Sequence, residues 1–88
     1  MKIHELKTDP DAFVASFRGD KLYEIRLDDR EFRMGDMLVL RETAASGERM
    51  AEGAPLIYTG RVLSRIITHK LDGYGLKEGW VVLGVRNV

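Results

Sequence analysis

Glu24 and Arg26 stand two residues apart inside Gly19-Asp20-Lys21-Leu22-Tyr23-Glu24-Ile25-Arg26, a run that gathers glycine, lysine, a carboxylate and a guanidinium. On a β-strand such a pair shares one face, with α-carbons about 6.5–7 Å apart. A carboxylate accepts hydrogen bonds from amino or imino groups on a base edge, and a guanidinium clasps phosphate through two parallel bonds. Together they suit a nucleotide. If the strand already began at Lys21, that ammonium would fall on the opposite face, so its participation requires the Gly19-Asp20 turn to redirect it. The plainer role for Glu24 and Arg26 is a surface ion pair worth about 0–1 kcal/mol.

Other chemistry is thinly supplied. His4 and His69 are the only histidines and there is no cysteine, so no metal site is expected and His4 reads as a structural strand histidine. Ser16 and Ser64 have no base or orienting acid near them in sequence, which leaves a nucleophilic triad without a pattern. The glycines form neither a P-loop nor a dinucleotide fingerprint, and no cofactor is expected. Tyr74, between Gly73 and Gly75, is expected at a cleft rim where it can stack on a base. Trp80 opens an apolar run and is expected to pack in the core.

The 88 residues give room for one core, so residues 1–88 read as a single domain. A hydrophobic content of 44% with 32% charged residues is that of a folded globule. Fourteen Lys and Arg balance fourteen Asp and Glu, so no broad cationic surface exists and any nucleic-acid contact must be local. Apolar runs such as Met37 to Leu40 fall far short of the ~18 residues a membrane span needs. The first residues lack the apolar stretch of a secretory signal, and a cytoplasmic location is expected.

The elements that must carry these residues follow from turn chemistry and periodicity. Ile3 to Leu6 suits an edge strand. Asp9-Pro10 predicts a helix start, with the aspartate as cap, and Phe13, Val14 and Phe17 then face a sheet until Gly19 ends the helix. Leu22 to Leu27 alternates, with Tyr23, Ile25 and Leu27 opposite Glu24 and Arg26. Asp28 to Arg33 reads as a loop, and Gly35-Asp36 as a turn into a central strand at Met37 to Leu40. Arg41 to Pro55 shows no sustained period and reads as a mobile surface excursion. Leu56 to Leu71 exceeds the usual strand length, so a bend near Gly60 is expected to divide it. Asp72 to Gly75 is a turn before a last strand from Trp80 to about Val85.

The spacing of Gly19, Lys21, Glu24 and Arg26 resembles the G-x-K-x-x-E-x-R signature of the ASCH superfamily, within the PUA-like fold. Ile3 to Lys7, Asp29 to Phe32, Gly35 to Leu38 and Asp72 to Leu76 also look like a family of small single-domain ASCH-like proteins. The resemblance implies an α+β domain: a small PUA-like mixed β-barrel with one N-terminal helix packed on it and a cleft beside that helix. It also implies an RNA-related role. One relative by resemblance is an amidohydrolase acting on acylated cytidine, which has threonine where this chain has Glu24.

Three functions follow as expectations. The first is an RNA- or nucleotide-binding module using Lys21, Glu24 and Arg26, with Lys7, Arg30 and Tyr74 at the rim. The second is a small amidohydrolase acting on a modified nucleobase, with Lys21 activating water and Glu24 as acid or base. The third is a protein-interaction domain presenting Arg41 to Pro55 or an exposed sheet edge to a partner.

Overall fold

In the computed structural model, which describes residues 1–88, seven elements follow one another. They are β1 (Ile3–Thr8), α1 (Pro10–Phe17), β2 (Tyr23–Leu27), β3 (Met37–Thr43), α2 (Gly47–Ala51), β4 (Tyr58–Leu71) and β5 (Trp80–Asn87). The strands form one curled half-barrel sheet in the order β1-β3-β4-β5-β2, and the fold class is α+β. β1 runs parallel to β3, and the other pairs are antiparallel, so the sheet is mixed as expected. The barrel is not closed by backbone pairing. β1 and β2 are its two edges, and a seam separates them.

Alternation along the strands decides what fills the interior. His4, Leu6 and Thr8 of β1 are buried while Ile3, Glu5 and Lys7 face out, and Leu38 and Leu40 of β3 continue the inner layer. Ile67, Val81, Leu83 and Val85 complete it, with Phe32 inserted from the loop before β3. Arg65 of β4 is also buried beneath α1, where it donates to the carbonyls of Ser16 at 2.8 Å and Ser64 at 2.9 Å. Ser16 lies in the last turn of α1, the end of a helix that favours a cation.

Several expectations need correction. Phe13 is buried by α1 as predicted, but Phe17 is exposed. The contact stripe runs through Phe13 and Ser16, and one residue further on lies about 100° round the helix. Asp9 makes no side-chain cap to α1. Its carboxylate instead accepts from the backbone of Gly47 at 3.0 Å and pins the start of α2. The stretch from Arg41 to Pro55 is structured in part: β3 continues through Thr43, and α2 is capped by Ser46. β4 is continuous across Gly60, whose φ of 93° supplies a bend without dividing the strand. β3 is an inner strand as expected, lying between β1 and β4.

Trp80 is not in the core. It stands 38% exposed on the outer face of the sheet, where it neighbours Leu27 across the β2–β5 pair. Its truncation opens no sealed cavity, so Trp80→Ala is expected to cost roughly 2 kcal/mol rather than the 3–5 of a fully buried aromatic. Urea melts measure this, and a loss above about 4 kcal/mol would return Trp80 to a core role.

Candidate functional site: the seam between the two edge strands

The turn after α1 sets up the predicted cluster. Gly19 has φ 81°, a left-handed conformation that suits glycine. Its N–H donates to the carbonyl of Ser16 at 3.1 Å, and that of Asp20 to Ala15 at 3.0 Å, the bond pattern of a Schellman motif. The chain reverses there, and β2 begins only at Tyr23. Lys21 therefore precedes the strand and is free to swing inward, as the sequence required of it.

β2 then turns its charged face inward. Tyr23, Ile25 and Leu27 lie outside and are about half exposed, while Glu24 is buried and Arg26 partly so. Lys21 Nζ donates to one carboxylate oxygen of Glu24 and to the carbonyl of Tyr23, the latter at 2.8 Å. Arg26 Nε and Nη2 both donate to the other oxygen, at 3.1 and 2.8 Å. Both oxygens of Glu24 are thus occupied, so the base-edge acceptor expected there is committed within the protein.

Arg26 reaches further. Its Nη1 donates to the carbonyl of Lys7 at 3.0 Å, and Arg30 Nη1 donates to the carbonyl of Glu5 at 2.9 Å. Glu5 and Lys7 sit on the free edge of β1, where main-chain carbonyls have no strand to pair with. Two guanidinium groups bridge the seam in place of a backbone ladder.

A hollow of about 340 Å³ opens at this bridge. Lys7, Arg26 and Arg30 line it, together with Arg41 and Tyr58, which the sequence reading did not single out. Lys7 and Arg41 are direct neighbours in the parallel β1–β3 register. Arg41 lies over the ring of Tyr58, 3.7 Å from its centroid, and meets Glu5 only at 3.9 Å. Glu5 is the one acid lining a hollow that otherwise gathers cations on a chain of zero formal charge.

The other predicted residues fall elsewhere. Lys21 and Glu24 lie behind Arg26 and do not line the hollow. Tyr74 is 91% exposed at the turn between β4 and β5, with φ 53°, and does not line the hollow. The largest hollow, about 630 Å³, does lie beside the first helix, between the starts of α1 and α2. It is walled by Asp9, Asp11, Arg49 and small apolar residues, not by the cluster.

Strongly perturbed acids stand outside the seam. Asp36 accepts from His4 Nε2 at 2.8 Å and from the backbone of Lys2 and Arg33, at 3.0 and 3.2 Å. The bond from His4, then those from the backbone, hold its carboxyl at about 2 against desolvation. Glu42 is held at about 2 by Arg61 and Thr59. Asp28 is lowered by Lys70, which bonds it at 2.8 Å. These ties fasten strands and loops to one another. No group of acids and histidines is arranged to hold a metal ion, and no helix is long and apolar enough to cross a membrane.

No curated protein matches the chain. A family model described as a domain of unknown function, DUF3850, matches residues 3–85, and since that span is nearly the whole sequence, the chain belongs to the DUF3850 family.

Proposed function

We propose that this domain binds a nucleotide or single-stranded RNA at the seam between β1 and β2. One observation carries the reading: Lys7, Arg26, Arg30 and Arg41 converge on a single hollow, although the chain as a whole is neutral. Guanidinium groups bind phosphate bidentately, and Arg41, whose carboxylate partner Glu5 stands 3.9 Å away, is the least neutralised of the three arginines. Tyr58 adds an aromatic face already stacked with Arg41. The resemblance to ASCH domains agrees, and on it the half-barrel reads as a PUA-like barrel. In this reading Glu24 is a positioning residue, and Lys21 steadies it. Tyr74 is an exposed contact outside the cationic hollow.

The amidohydrolase alternative needs a free amine at Lys21, whereas that ammonium is held by the carbonyl of Tyr23 and the carboxylate of Glu24. Protein interaction is favoured by one feature, the exposed outer row Tyr23, Ile25 and Leu27. Chromatography across a concentration series tests it through self-association.

Arg41→Ala is the cleanest test of binding, because Arg41 lines the hollow and loses only its stacking on Tyr58 and a long contact with Glu5. Fluorescence anisotropy with short single-stranded RNAs should show a loss of roughly 5–10-fold, similar for all sequences. The wild-type salt slope should be shallow, reflecting about one to three phosphate contacts, and should fall by about one contact's share in the variant. Unchanged affinity in Arg41→Ala, or no binding by wild type, would remove this reading and leave interaction in its place.

A further inference from the structure

The cationic hollow is not alone on the seam. A second hollow of about 300 Å³ adjoins it, and Leu6, Arg26 and Arg30 line both. Its chemistry is different. Beyond the shared residues it is walled by Ile25, Leu27, Phe32 and Trp80, with one carboxylate, Asp29, which pairs with Arg30 at 3.1 Å. Ile25 and Leu27 are about half exposed and Trp80 more than a third, so the outer part of this wall offers apolar surface to solvent. Each hollow alone is at the low end of what a small-molecule site needs, and the two joined fall within the usual 300–1,000 Å³.

We infer that the seam is one bipartite groove for a nucleotide, with the phosphate among Lys7, Arg30 and Arg41 and the base against Trp80 and Ile25. The inference rests on the binding reading above and adds which part of the ligand each half takes. The division follows from desolvation. A phosphate moved from water demands charged donors, and Lys7 and Arg41 add two to the first half beyond the arginines both halves share, whereas a base offers a flat π-face that gains most beside an aromatic ring. Arg26 and Arg30 stand where the halves meet and already present guanidinium groups along the seam. A free nucleotide and a residue of single-stranded RNA share this chemistry.

Trp80 is the only tryptophan, so its emission reports on the apolar half alone. The test titrates wild type with adenosine monophosphate, adenosine, inorganic phosphate and a short oligoadenylate, following Trp80 fluorescence and binding heat together. Adenosine monophosphate should change the emission and bind about tenfold or more tighter than phosphate or adenosine. Ile25→Ala should weaken the nucleotide about 3–10-fold and leave phosphate unchanged, while Arg41→Ala should weaken both. If oligoadenylate gives the larger response per site, the ligand is RNA; if the mononucleotide does, it is the free nucleotide. Equal affinity for phosphate and nucleotide with a silent Trp80 would overturn the bipartite groove and leave the anion-binding reading standing. Absence of binding by every probe would remove both.

Discussion

Glu24→Ala is expected to destabilise the domain by about 3 kcal/mol, the lower end of what breaking a buried ion pair costs. The Glu24 side chain is 3% exposed, and its carboxylate is the only acid bonded to Lys21 and Arg26. Removing it leaves two cations facing each other across the site it vacates. They are not sealed in, because Lys21 and Arg26 side chains retain 17% and 25% exposure and can rotate toward water. That escape argues against the upper end of the range, near 5 kcal/mol. A domain of this size holds only about 5–10 kcal/mol in total, so the melting temperature should fall by roughly 15 °C. Glu24→Gln, which keeps the shape and one acceptor, should cost less. Urea melts at neutral pH decide the matter, and a loss under about 1 kcal/mol would make the trio an ordinary solvated pair.

That expectation differs from the sequence reading of the same residues, and the difference shows what alternation can and cannot tell. The period of two in Tyr23 to Leu27 correctly separates Tyr23, Ile25 and Leu27 from Glu24 and Arg26. It does not say which row faces inward. Apolar residues usually take the interior, yet here the charged row goes in because Lys21 and Arg26 satisfy Glu24 there, and the edge carbonyl of Lys7 needs a donor. Lys21 and Arg26 are local partners that the sequence shows, but the carbonyl of Lys7, 19 residues from Arg26, is not visible until the chain is folded.

Arg41 and Tyr58 were illegible for another reason. The β3–β4 register shifts between Arg41 and Thr43, so Glu42 and Thr43 are both buried in succession and the alternation breaks where a reader would look for it. α2, with five residues, is too short to show a helical period. The start and end of α1 were legible because Pro10 and Gly19 are local signals whose meaning does not depend on the rest of the fold.

Acid should unmake the fold through Asp36 and Glu42 together. Asp36 is held at about 2, below its ordinary 3.8, so over that window the unfolded chain binds a proton that the folded chain refuses. Stability contributed by Asp36 is therefore complete above about pH 4 and drains away as the pH falls toward 2. Glu42, also at about 2, acts in the same direction and over a similar window. Asp36→Ala at neutral pH leaves the N–H groups of Lys2 and Arg33 and the Nε2 of His4 without their acceptor. A buried group so stranded costs about 1–3 kcal/mol, and since only His4 is buried while Lys2 and Arg33 are exposed residues that can rehydrate, a total of roughly 3 kcal/mol is expected. The gap between wild type and variant should then close as the pH is lowered, because wild type loses by protonation what the variant never had. Urea melts at intervals from pH 7 to pH 2 measure the gap directly. A difference that stayed constant across that range would mean that Asp36 acts through its shape and not its charge, and that the acid sensitivity of this domain lies elsewhere.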